Sequence, residues 1–230
     1  MPLLEVLTSS GFASLLGMRH ALEPDHIAAV STLVSHEQSS FRAAWLGVCW
    51  GIGHMLTLFV MGLGLVLVRS EMPARLADAF EIIVAVMLIG LGMRSVLQAA
   101  RLGSNGPAYS HKHRWIVHQH PGMPAHVHIG KWTLARRPLL IGAIHGLAGS
   151  GALAALVLTT LPSTASRLAY MILFGLGSTA GMAALSGLLG WPLARFGAHE
   201  HVTRGISFVV GCLLMALGIV WGYPLVARWL

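Results

Sequence analysis

Six long apolar runs, separated by short polar segments, organise the chain. They cover about 3–19, 43–68, 76–97, 138–160, 168–190 and 205–226. Several reach the roughly 20 residues that a helix needs to cross the hydrocarbon core of a bilayer. The first run stops early, at Arg19, but resumes at Ile27-Ala28-Ala29-Val30, which predicts a longer helix with an interruption. Trp45, Trp132, Trp191 and Trp221 lie near run ends, where an amphipathic ring prefers the membrane interface. The pattern predicts an all-α integral membrane protein of about six transmembrane helices, forming a single domain over 1–230.

Composition narrows this further. Hydrophobic residues make up 55% of the 230 and charged residues 10%, against roughly 25% charged in a soluble domain. There is too little charge to coat a water-facing surface, so the lipid bilayer is the expected partner. The net charge of +7 does not point to nucleic acid, because no basic helix carries interleaved aromatics. Cys49 and Cys212 form no CxxC pair and say little about redox compartment. No basic region precedes the first run, so a cleaved signal peptide is not expected.

Lys and Arg set the orientation. Arg94, Arg101, Lys112, Arg114, Lys131, Arg136 and Arg137 place seven of the fifteen basic residues in 94–137, which assigns that segment to the cytoplasm. Alternation then adds 19–42 and 191–204 to the same side, giving eleven against four and both termini outside.

The halves resemble each other. His20-Ala21-Leu22 matches His145-Gly146-Leu147, Trp50-Gly51-Ile52-Gly53-His54 matches Phe174-Gly175-Leu176-Gly177-Ser178, and Ile89-Gly90-Leu91-Gly92 matches Met215-Ala216-Leu217-Gly218. The offsets of 125, 124 and 126 keep nearly one register. A repeat of three spans is odd, so the second copy enters the membrane inverted. The expected organisation is repeat one over 1–100, a cytoplasmic His-rich loop over 104–137, and repeat two over 138–230. Inverted three-helix repeats are a transporter architecture with a site near the midplane.

The most informative stretch is Arg19-His20-Ala21-Leu22-Glu23-Pro24-Asp25-His26-Ile27. Two imidazoles and two carboxylates sit at the edge of an apolar run, and ionisable residues within membranes are functional candidates by default. Imidazole with carboxylate suits nickel, cobalt, zinc or copper. On a straight helix His20 and Asp25 would lie about 140° apart. Pro24 removes that constraint: it lacks a backbone donor and clashes with the carbonyl of His20. The helix should break at Glu23-Pro24 and turn His20, Asp25 and His26 to one point. His54, beside the glycines of the second span, is the fourth candidate ligand. Glu23, His145 (the counterpart of His20) and Ser178 (the counterpart of His54) are candidate pathway residues.

The same nonapeptide resembles the signature of the nickel/cobalt transporter family, a His, four residues, then Asp-His. Glu23 and Pro24 depart from its approximate form His-Ala-x-Asp-x-Asp-His-Ile. Gly53-His54 looks like the family's Gly-His motif, and Phe174-Gly175-Leu176-Gly177 resembles a later Phe-Gly-Leu-Gly motif. The family's motif continues into Asp-Thr-Ala-Thr-Glu, whereas Ser178-Thr179-Ala180-Gly181 lacks both acids. The chain is shorter than the eight-span members. It is similar to a compact branch of the urease-accessory type, which implies a bacterial plasma (inner) membrane and a link to metalloenzyme maturation such as that of urease.

Four His-x-His pairs form a second layer: His111/His113, His118/His120, His126/His128 and His199/His201. All fall in loops assigned to the cytoplasm, 104–137 and 191–204, and His-rich tracts capture metal. The leading expectation is therefore a permease, not an enzyme, with no permanent cofactor, that carries Ni2+ or Co2+ inward. Entry of a double charge at an inside-negative potential of ~100 mV gains about 4.6 kcal/mol. Two alternatives stand beside it: export by the same fold, with Glu23 as proton carrier, and a membrane thiol-disulfide protein using Cys49 and Cys212.

Overall fold

The computed structural model describes residues 3–35, 37, 39–68, 72–101, 110–113, 116–119, 126–129, 132–161, 163–196 and 200–229. Seven helices run through these residues: α1 (Leu3–His20), α2 (Pro24–Val34), α3 (Ser40–Val68), α4 (Ala74–Arg101), α5 (Arg136–Thr160), α6 (Thr164–Phe196) and α7 (Glu200–Ala227). Among the described residues, α3, α4, α6 and α7 are long and apolar enough to cross a membrane. α1 and α5 cover the two remaining apolar runs. The 29 residues of α3 extend about 43 Å, more than the ~30 Å hydrocarbon core. Large apolar side chains such as Phe12, Leu56, Leu188 and Ile219 stand exposed on the outer faces; lipid is the solvent in which such a surface costs nothing.

The interruption after α1 has the cause expected of it. A residue before proline is pushed out of the α region, and Glu23 sits at φ −66°, ψ 148°. α1 closes in a tight turn, with the Leu22 amide donating to the Arg19 carbonyl at 2.9 Å and the Glu23 amide to the His20 carbonyl at 3.0 Å. Pro24 then opens α2, a position where its missing donor is no loss. The Ile27 amide donates to the Glu23 carbonyl at 3.0 Å as the new helix begins.

α3 is the central helix, packed between α5 and α6, while α4 pairs with α7 and α1 with α6. The short α2 lies against α4, α6 and α7. One core joins Ala29, Val30 and Val34 of α2 to Trp50, Leu88, Met182 and Leu214 of four other helices. A second gathers Leu58 and Val66 of α3 with Leu153, Val157 and Met171.

Two polar segments depart from the sequence expectation. The 104–137 segment was expected as loop, but it carries two antiparallel hairpins, β1 (Ser110–His113) with β2 (Ile116–Gln119) and β3 (His126–Ile129) with β4 (Trp132–Ala135). Ile116, Val117, Val127, Ile129, Trp132 and Thr133 are β-branched or aromatic, the types that favour strands. The 191–204 segment was also expected as loop. Instead α6 continues to Phe196 and α7 starts at Glu200, so His201 lies in the first turn of α7. A helix satisfies its own backbone groups and persists past the hydrocarbon, whereas an apolar run marks only the part buried in lipid.

Candidate metal centre

The break between α1 and α2 turns two helix ends toward one point. His20 is the last residue of α1 and Asp25 lies in the first turn of α2. The negative C-terminal end of a helix favours a cation, and the positive N-terminal end favours a carboxylate. His54 is the midpoint of α3, Ser40–Val68, about 21 Å from either end. His145 comes from α5.

These side chains meet in the interior of the bundle. Nε2 of His20 and Nε2 of His54 stand 3.2 Å apart. Two imidazole nitrogens at that spacing subtend about 100° at an ion about 2.1 Å from each, a normal ligand–metal distance for imidazole. The His26 ring lies between its neighbours, with ring centres 4.6 Å from His20, 5.3 Å from His54 and 4.3 Å from His145. His54 is fully buried, His26 and His145 nearly so, and His20 is 17% exposed. One ligand atom each from His20, His26 and His54 lie within 4.8 Å of one another, and the same is true of Asp25, His26 and His145.

The carboxylates hold the imidazoles from behind. The His26 Nδ1–H donates to Asp25 Oδ1 at 3.1 Å, and the His145 Nε2–H donates to Asp25 Oδ2 at 2.5 Å. Nδ1 of His20 faces Oε1 of Glu23 at 3.0 Å. A carboxylate on one ring nitrogen fixes the tautomer and leaves the other nitrogen's lone pair for a metal. His26 Nε2, His54 Nδ1 and His145 Nδ1 are buried with no hydrogen-bond partner among the described residues. Buried polar atoms are almost always partnered, so three orphaned imidazole nitrogens within one cluster of rings are a signature of ligand chemistry.

Of the residues singled out from sequence, His20, Asp25, His26, His54 and His145 come together, with Glu23 half-exposed at the rim. Ser178 is buried on α6, one turn beyond Phe174 and against Gly17 of α1. The His-x-His residues are elsewhere. His111 and His118 are opposite partners in the first hairpin, while His126 pairs with Ala135 and His128 with Thr133 in the second. His113 pairs with Ile116. His120 and His199 lie outside the described residues. His201 is exposed, beside Arg204 and Phe208 and facing Ala99 and Ala100 of α4. Cys49 on α3 is buried, Cys212 on α7 is exposed, and both are free thiols.

Two site residues were not foreseen. Trp50 stacks on His26, ring centres 5.6 Å apart at 21°, and Phe174 packs on His20 at 5.4 Å. Trp50 did carry a signal: it sits deep within a span, four residues before His54, rather than at the interface that tryptophan prefers.

Comparison with known proteins agrees with this chemistry. The family model described as high-affinity nickel-transport protein (NicO) matches residues 6–195. A urease accessory protein, UreH, from Bacillus sp. (strain TB-90) is 31% identical over 223 residues, covering 97% of this chain and 92% of the relative. Two Arabidopsis thaliana proteins, chloroplast proteins FOR GROWTH AND FERTILITY 1 and 2, are 26% and 24% identical over 93% and 81% of this chain. The matched regions are 58% and 48% of those two plant proteins. No solved structure matches the chain. With a family match over most of its length and a bacterial relative aligned nearly end to end, this integral membrane chain belongs to the NicO family of high-affinity nickel-transport proteins, a family of transporters rather than enzymes.

Proposed function

We propose that the chain is a permease that carries Ni2+, and Co2+ by the same chemistry, into the cytoplasm across a bacterial inner membrane. The substrate ion is held in transit by His20, Asp25, His26 and His54, with Glu23, His145 and Ser178 along the path. The observation that carries this reading is the convergence of imidazoles from α1, α2, α3 and α5 around one buried space, each with a ring nitrogen free or turned to another imidazole. An all-nitrogen and carboxylate donor set suits nickel and cobalt. The name of the bacterial relative supports a role in supplying a metalloenzyme such as urease. The hairpin histidines, with His199 and His201, would gather ions on the cytoplasmic side.

The architecture proposed with it is two inverted repeats of three spans, α1–α2 to α4 and α5 to α7. Helix packing supports it residue by residue. A Cβ at Gly17 would strike the carbonyl of Phe174, and one at Gly142 would strike the carbonyl of Trp50. These are the same contact read in the two halves, since 17 and 142, and 50 and 174, are repeat partners. Gly53 against Leu139 mirrors Gly177 against Ser14, and Gly51 against Thr179 mirrors Gly175 against Met55. Gly92 against Gly211 and Met215 mirrors Gly218 against Ala85 and Ile89. Rocking of one repeat against the other about a midplane site is the movement such symmetry permits.

Radiolabelled Ni2+ uptake into proteoliposomes, with the potential set in both signs, tests the reading. Accumulation that follows an inside-negative potential and is lost in His26→Ala is expected. Accumulation that requires an opposing proton gradient instead would favour export. Flux equal to that of empty liposomes would refute transport altogether.

A further inference from the structure

We propose that the core holds two overlapping divalent-cation positions that share His26, one made by His20, His26 and His54 and the other by Asp25, His26 and His145, and that the ion is handed between them during transport. This rests on the transport reading above. The two triads are separate because, among the described residues, no group of donor atoms within 4.8 Å of one another contains both His54 and His145. His26 lies between them. Its Nδ1 faces Asp25, which leaves Nε2 for the side of His20 and His54.

A neutral imidazole has one lone pair, so His26 can serve one position at a time. Two dications a few ångströms apart would also repel strongly in a buried site. The positions are therefore alternatives rather than a binuclear centre. They differ in chemistry. The first is three neutral nitrogens next to a partly exposed rim, where Glu23 is half-exposed beside His20. The second adds the buried carboxylate of Asp25, which Nδ1 of His26 and Nε2 of His145 face. An ion there takes the place of the protons on those two nitrogens, and the protons move to the unpartnered Nε2 of His26 and Nδ1 of His145. Moving between them, the ion exchanges His20 and His54 for Asp25 and His145 while His26 stays within reach. It is never released into the apolar interior. Conduction needs binding that is weak or divided enough to leave, and a shared ligand provides that.

The test uses the full chain, purified and reconstituted, with Ni2+ binding measured as the excess over His26→Ala and Ni2+ uptake measured in parallel. His54→Ala and His145→Ala should each keep one bound Ni2+ within about tenfold of the parent's affinity, because the other position survives, while uptake falls at least tenfold. The double variant should lose core binding. His145→Asn keeps a donor for Asp25 without an imidazole lone pair, and should be as deficient in uptake as His145→Ala. Elution as a single species in detergent confirms that each variant is folded. Either single variant losing binding as fully as the double would mean one position and overturn the proposal. So would parent-like uptake in His145→Ala, or rescue of uptake by His145→Asn, which would make His145 a positioning residue for Asp25. Parent-like binding and uptake in His26→Ala is a different result, and it would bring down the transport reading itself.

Discussion

Asp25→Asn is the sharpest perturbation of the centre, because it removes charge while keeping volume. The parent carboxylate accepts from His26 Nδ1 at 3.1 Å and from His145 Nε2 at 2.5 Å, with all three residues buried. An asparagine has one acceptor oxygen and one donor NH2, so it can satisfy only one of the two imidazole N–H groups; the other ring must present its lone pair instead. Exchanging two charge-assisted bonds for neutral ones costs about 1 kcal/mol each, or about 2 kcal/mol of folding stability. Metal binding should suffer more. Losing a partner that orients metal-ligating histidines lowers affinity about 10–100-fold, or roughly 1.4–2.7 kcal/mol. The lost attraction between a carboxylate and a dication adds to this, up to about 7 kcal/mol at 5 Å and an effective dielectric of 20. The expected outcome is a folded protein whose core Ni2+ affinity falls at least tenfold. Isothermal titration calorimetry of parent and variant, each referred to His26→Ala to remove binding by the hairpin histidines, reads it directly. Affinity equal to the parent's would show that Asp25 neither ligates nor orients, and the account of the centre would fail.

Other consequences can be measured. Gly17→Ala and Gly142→Ala place a methyl against equivalent carbonyls on α6 and α3, so each should destabilise by about 1–3 kcal/mol or more; a thermal-unfolding comparison in which one is silent and the other severe would contradict the proposed repeat. Binding requires neutral imidazole, so the apparent Ni2+ affinity should fall as acid protonates the ligand rings, and a profile that stays flat down to about pH 4 would argue against histidine ligation. Deleting 108–129 should change the concentration dependence of uptake without abolishing it, because the hairpins stand apart in sequence from the core ligands; complete loss in a deletion that still folds would place them on the path. A cysteine introduced at position 118 should resist labelling by impermeant reagents from outside intact cells, and ready labelling would reverse the assigned orientation.

The membrane class was legible in the chain because lipid imposes a one-dimensional rule: a spanning helix needs an unbroken apolar run, and six such runs are visible without any tertiary information. The break at Glu23-Pro24 was legible for an equally local reason, since proline constrains the residue before it and the carbonyl four back. The two hairpins and the helical extensions over 191–196 and 200–204 were not, because strand pairing and helix persistence outside lipid depend on partners that hydropathy does not register. The candidate ligands were nameable from residue type, but their relations were not. That Asp25 bridges His26 and His145, 120 residues away, depends on α5 packing against α3 opposite the turn that begins α2. The packing of α2 beside α3 brings Trp50 onto His26, and that of α1 on α6 brings Phe174 onto His20. Sequence determined which chemistry the membrane interior would contain. Only the tertiary structure decided how it is shared out, because convergence is a property of helices crossing in space: the glycines that let α1 approach α6, and α5 approach α3, set the distances at which the imidazoles meet.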